Sequence, residues 1–175
     1  MKYFYDTEFI EDGKTIDLIS IGIVAEDGRE YYAISKEFNP KKASDWVKEN
    51  VLNKLPPKFV NPVYDSPRLF QESKAWKSRE EIKNDIIEFV GEDKPELWAY
   101  YADYDHVVLC QLFGTMMDLP KNFPYYTKDI KQFCDDLGNP KLPEQGKNEH
   151  NALDDAKWNK LSYEFLIETQ KTSTD

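Results

Sequence analysis

Tyr3-Phe4-Tyr5-Asp6-Thr7-Glu8-Phe9 is the stretch that decides how the chain is read. Aromatic and β-branched residues without Gly or Pro predict a strand. Side chains alternate across a strand, so Phe4, Asp6 and Glu8 share one face. Two carboxylates on one face of a core strand repel each other, and they are costly to desolvate unless a cation neutralises them. Hard divalent ions such as Mg²⁺ or Mn²⁺ take oxygen ligands. The pair is either half of a metal site or two solvated acids, and the rest of the chain must decide.

Working outward, Glu11-Asp12-Gly13-Lys14 predicts a hairpin turn. Thr15 to Ala25 follows, apolar on both faces as a central strand should be. A second Asp-Gly turn at Asp27-Gly28 leads to a third strand over Glu30 to Ser35, completing an antiparallel meander. Ala43 to Leu55 carries Trp46, Val47, Val51, Leu52 and Leu55 at helical spacing, with Pro56-Pro57 as the stop. Phe59 to Trp76 holds Pro62 and Pro67 and shows no period, so residues 59–77 read as an irregular inserted loop. Ser78 with Glu81 is a capping box for a helix whose buried stripe is Ile82, Ile86, Ile87, Phe89 and Val90, ended by Gly91.

Pro95 to Tyr101 reads as a short strand. Asp103 is the expected cap of a helix over Tyr104 to Phe113, closed by Gly114. Asn122 to Tyr126 suggests a further strand, Thr127 to Leu137 a helix, and Lys141 to Glu149 a polar loop. The last helix runs from Ala152 to Thr169, and residues 171–175 read as a frayed tail. The order predicts one α/β domain over residues 1–175, with an antiparallel meander extended by parallel strands through helical crossovers.

Composition bounds the function. With 40% hydrophobic and 14% aromatic residues, 175 residues suffice for a packed core and do not suit disorder. A net charge of −10 argues against tight non-specific duplex binding. It leaves room for an acidic enzyme that meets a nucleic acid through bound cations, which reverse the local field. Lys36, Lys41, Lys42, Lys48, Lys54 and Lys58 form either a basic rim or a solvated face. No long apolar run occurs and the N-terminus is strand-like at once, so the expectation is a cytoplasmic protein without signal peptide or membrane span. Cys110 and Cys134 lack metal-ligand spacing and read as reduced, buried residues.

Two further stretches carry acids. Ala102-Asp103-Tyr104-Asp105-His106 lies where a strand gives way to a helix, a common place for sites in open α/β sheets. Asp105 there is either a ligand or, with Asp103, a complement to the helix dipole. In His150-Asn151-Ala152-Leu153-Asp154-Asp155-Ala156, Asn151 is a good N-cap. His150 then sits in the preceding loop and Asp155 in the first turn, so both can reach one point, with Asp154 rotated away. His is the side chain best suited to take a proton near neutral pH. His106 reads as an ordinary hydrogen-bonded residue.

Together these pieces resemble the DEDD-type 3′→5′ exonucleases of the RNase T/DnaQ-like superfamily, in the subgroup with His in the third motif. Asp6-Thr7-Glu8 matches the first motif, Ala102-Asp103-Tyr104-Asp105 the second, and His150 followed by Asp155 the third. Phe4 to Ile10, Leu18 to Gly22, Ala25 to Tyr32, Tyr104 to Val107 and Leu109 to Leu112 are similar to the polyadenylate-specific exoribonucleases (RNase AS type).

The resemblance implies an RNase H-like fold with a mixed five-stranded sheet and two Mg²⁺ or Mn²⁺ ions held by Asp6, Glu8, Asp105 and Asp155. It implies His150 as general base, single-stranded RNA with an adenylate-rich 3′ end as substrate, and a homodimer. Thr7 and Phe9 flank the acids and Ser20 lies on the neighbouring strand, which makes them expected substrate contacts. The competing readings are a 3′→5′ exonuclease acting on DNA or very short oligonucleotides, and a non-catalytic nucleic-acid-binding module on the same fold.

Overall fold

Strand β1 (Lys2–Glu11) is the centre of a six-stranded mixed sheet, seen in a computed structural model that describes residues 1–61, 63–146 and 149–172. It pairs antiparallel with β2 (Ile16–Ala25), which pairs antiparallel with β3 (Glu30–Ser35). The two Asp-Gly turns thus build the expected meander.

The order across the sheet is β4-β3-β2-β1-β5-β6. The outer strands β4 (Trp76–Lys77) and β6 (Lys128–Asp129) have two residues each, and β5 (Glu96–Ala99) has four. All three run parallel to their neighbours. Both two-residue strands are too short for any periodic signal, which is why the expected five strands are six.

Helices cover both faces. Tyr3, Tyr5, Ile21 and Ile23 pack with Ile82 and Ile86 of α3 (Arg79–Val90) and with Val108 and Leu109 of α4 (Asp103–Phe113). On the opposite face, Phe4 and Trp98 pack with Ile130 and Cys134 of α5 (Ile130–Asp136) and Leu166 of α6 (Ala152–Thr172). Burying each such side chain contributes roughly 1.5–3 kcal/mol. Cys110 and Cys134 are free and buried.

Several sequence expectations give way to local chemistry. The helix predicted over Ala43–Leu55 breaks into α1 (Asp45–Asn50) between two 3₁₀ turns. Ser44 caps its start, and Val51 closes it as the C-cap, buried beside Ile10 and Ile19. The segment read as an irregular loop contains α2 (Pro67–Ser73), with Ser66 as N-cap and Pro67 in the first turn, and then β4. Pro62 lies outside the described residues.

On α3, Ile87 is exposed, whereas Ile82, Ile86 and Val90 are buried. Asp103 is inside α4 and makes no cap bond; Ala102 occupies the cap position. The strand expected over Asn122–Tyr126 is absent there, and pairing comes two residues later at Lys128. Thr127 does not start a helix; Asp129 caps α5 by accepting from the Lys131 and Gln132 N–H groups. The final helix extends to Thr172, while residues 173–175 of the expected frayed tail lie outside the described residues.

Candidate active site

β1 outruns β5. Their pairing stops at Phe4 opposite Trp98, so the next residues of β1 face a crevice at the end of the parallel strands. The Thr7 N–H, which has no strand partner on that side, donates to Asp105 Oδ1 at 2.8 Å, and the Thr7 hydroxyl donates to the same oxygen at 2.6 Å. A register shift between Glu8 and Phe9 bulges the strand and re-aims Phe9. The Phe9 ring meets Tyr104 edge-on at 5.6 Å.

The third segment arrives over β2. Gly22 stands opposite Asp6, and a methyl added to it would lie 2.3 Å from the Ala152 carbonyl oxygen. Only glycine lets the first turn of α6 approach this closely. One turn beyond Asp155, buried Asn159 donates to the Tyr5 carbonyl at 2.9 Å, fastening α6 to β1 beside Asp6.

Asp6, Glu8, Asp105, Asp155 and His150 therefore line one cleft of about 430 Å³, with Thr7, Phe9, Tyr100, Tyr101, Asp103 and Tyr104 on its walls. Ligand atoms of Glu8, His150 and Asp155 lie within 4.8 Å of one another.

His150 adopts φ 67°, a left-handed conformation uncommon for a residue with a side chain. This aims its N–H at Asp155 Oδ2, 3.0 Å away. Gln145 donates to the other Asp155 oxygen, and Trp46 presses edge-on against the His150 ring at 4.7 Å.

Among the described residues, no cation forms an ion pair with any of the four carboxylates. Burial, then the charges of Asp105, Glu8 and Asp155, push Asp6 well above the ordinary carboxylate range. Burial and the Asp155 and Asp105 charges raise Glu8 to about 8. Burial raises Asp105 to about 6, against the opposing Thr7 hydrogen bonds. Asp155 is raised by burial and held down by Gln145 and His150. Four like-charged oxygen donors without a counter-ion among the described residues suit a hard divalent cation.

Of the expected substrate contacts, Phe9 and Thr7 line the cleft, with the Thr7 hydroxyl committed to Asp105. Ser20 stands opposite Glu8 in register, is buried, and is not among the residues lining the cleft. His106 lies outside the cleft, bonded to the Thr127 hydroxyl at 3.0 Å. Gly22, Trp46, Gln145 and Asn159 are not evident from the sequence; the one signal is a glycine inside a bulky strand.

A family model described as the 3′-5′ exoribonuclease Rv2179c-like domain matches residues 65–167. The chain belongs to that family. Rv2179c and MT2234.1, 3′-5′ exoribonucleases of two Mycobacterium tuberculosis strains, are each 50% identical to it over 160 residues, covering 90% of this chain and 88% of theirs.

Among solved structures, an exonuclease I superposes with TM-score 0.59 at 12% identity over 96% of this chain and 40% of its own. The zinc-bound E. coli exonuclease I–single-stranded DNA complex gives 0.64 at 10% identity over 98% and 41%. The chain spans about two fifths of those proteins. The likeness is one of fold, the RNase H-like mixed sheet. The family match starts inside the segment read as an inserted loop.

Proposed function

We propose that this chain is a metal-dependent 3′→5′ exoribonuclease that releases nucleoside 5′-monophosphates one at a time from single-stranded RNA, preferring an adenylate-rich 3′ end. The observation that carries this reading is the convergence of Asp6, Glu8, Asp105, Asp155 and His150 on one cleft from three distant segments. The family and the names of the mycobacterial relatives support RNA as substrate. Adenylate preference and homodimeric assembly rest on the resemblance to polyadenylate-specific exoribonucleases. Residues 1–175 are taken as one catalytic domain acting in the cytoplasm; no described helix is long and apolar enough to cross a membrane.

Asp6, Glu8, Asp105 and Asp155 would hold two Mg²⁺ or Mn²⁺ ions. When bound, such ions neutralise charge building on the phosphate and stabilise the leaving oxygen. The chain's own groups do the rest. The His150 imidazole takes the proton from the attacking water, its backbone fixed by Asp155 and its ring confined by Trp46. Thr7 holds the Asp105 carboxylate toward the cleft. Phe9, against Tyr104, offers an aromatic face for the terminal base.

The test incubates purified protein with end-labelled A, U and C homopolymer RNAs, a DNA oligomer and a 3′-phosphorylated RNA, with Mn²⁺, Mg²⁺ or EDTA. Stepwise shortening from a free 3′ end is expected, fastest on adenylate and silent in EDTA. Cleavage that persists in EDTA would overturn the metal requirement. Equal rates on all RNAs would overturn the base preference, and equal rates on DNA the restriction to RNA.

A further inference from the structure

We infer that the cleft between α2, β4 and the edge of β3 is the path of the RNA phosphodiester backbone upstream of the scissile end. This rests on the exoribonuclease reading above. The cleft measures about 770 Å³ and reaches Asn151 and Asp154, the latter next to Asp155 in sequence, and its Lys54 and Tyr32 lie close enough to Glu8 to interact with its charge. A strand whose last phosphate lies among the acids must leave past one of the clefts that adjoin them, and phosphate will take the one where cations outnumber acids.

Charge separates the exits. The cleft on the Gln145 side presents Glu144, Glu149, Asp154 and Asp155 against Lys157 alone. The cleft beside Trp46 presents Glu8 and Glu11 and no cation. The α2–β4 cleft presents Lys54, Arg68, Lys74 and Lys77 against Glu30, Glu72 and Asp154.

Glu30 is paired from outside the cleft, Glu72 and Arg68 offset each other, and Lys77 is held by Asp85, so among the described residues Lys54 and Lys74 stand against Asp154. Glu30 pairs with Lys157 at 2.9 Å, and Glu72 with Arg68 at 2.6 Å. Lys54 reaches back toward the catalytic loop, donating to the Glu149 carbonyl at 3.0 Å. The Lys74 ammonium lies over the face of Phe70, 5.0 Å from the ring centre. Helix α2 and its C-cap bring Arg68 and Lys74 to this cleft.

The test compares the wild type with the double variant Arg68→Gln, Lys74→Gln on adenylate RNAs of two and eight nucleotides over a series of salt concentrations. Neither residue lines the catalytic cleft. The dinucleotide kcat/KM is expected to stay unchanged while the octamer value falls roughly tenfold. The slope of log kcat/KM against log salt for the octamer flattens by about 0.7 for each phosphate that the variant no longer neutralises. The charge-retaining pair Arg68→Lys, Lys74→Arg restores the octamer rate, which separates loss of charge from loss of α2 structure.

Octamer rates equal to wild type would overturn the path, as would a parallel loss on both lengths. Failure of the wild type to shorten either RNA would instead overturn the exoribonuclease reading on which the path rests.

Discussion

Two groups of acids in this chain are treated in opposite ways. Asp17 and Asp85, partly buried around the start of α3, each receive a cation: Arg79 on Asp17 and Lys77 on Asp85. Asp85 also accepts from the Tyr31 hydroxyl at 2.9 Å. Asp6, Glu8, Asp105 and Asp155 receive no ion-pair partner among the described residues, and only N–H and O–H donors reach Asp105 and Asp155. The fold can set a cation beside a half-buried acid and does so twice near α3. At the candidate active-site cleft it accepts the cost of crowded like charges, an arrangement suited to a cation supplied from outside.

The contrast breaks most severely at Asp6. Asp6→Asn keeps the shape of the side chain and removes the charge of one proposed ligand. Loss of several kcal/mol of transition-state charge stabilisation corresponds to a fall in kcat of about 10³-fold or more. Circular dichroism should show the fold retained. A rate within a few-fold of wild type would mean that Asp6 is not a ligand.

A smaller effect is expected from Gly22→Ala, which touches no reacting group. The added methyl would collide with the Ala152 carbonyl and push the first turn of α6, with Asp155, away from Asp6. A displacement near 1 Å can cost about 10²-fold in rate. Overpacking should also cost about 1–3 kcal/mol of stability. Raising the Mn²⁺ concentration should recover part of the activity, because the ligands remain present and only their spacing has changed. Unchanged kinetics with a normal melting temperature would show that α6 does not need this close approach.

Why Gly22 is hidden in the sequence while Asp6 is not is a matter of range. Asp6 and Glu8, Asp105, and His150 with Asp155 each belong to a short local pattern; alternation fixes the direction of the first pair and the Asn151 cap places the last, while Asp105 is aimed by Thr7 from 98 residues away. The meander is legible because Asp-Gly turns and an apolar run are local signals too. Asn159 acts on the Tyr5 carbonyl across 154 residues, and Gly22 on the Ala152 backbone. Nothing within a window of either residue reports those contacts. Strands β4 and β6 are two residues each and owe their conformation to β3 and β5. Helix α2 does have a local signal, Ser66-Pro67, outweighed by the proline-rich context around it.

The smallest expected effect sharpens the contrast through stability alone. Asp6, Glu8, Asp105 and Asp155 all have folded pKa values raised above their unfolded ones, Glu8 to about 8 and Asp105 to about 6. Between roughly pH 4 and pH 8 these four groups therefore hold more protons in the folded chain than in the unfolded one, and their contribution to stability falls as pH rises, against a smaller opposing contribution from His106, whose pKa burial lowers.

In EDTA the melting temperature should drop by a few degrees from about pH 5.5 to pH 8, and this drop should shrink in Asp6→Asn. Mn²⁺ should raise the melting temperature more at the higher pH, where the carboxylates need not lose protons to bind it. Asp85→Asn should behave differently. It costs about 1 kcal/mol, roughly 2–4 °C, by removing the charge of the Lys77 pair while keeping one amide oxygen that can accept from Tyr31, and it leaves the response to Mn²⁺ unchanged. A flat or rising melting temperature in EDTA, or an Asp85→Asn protein that no longer responds to Mn²⁺, would show that the two groups of acids do not differ as described.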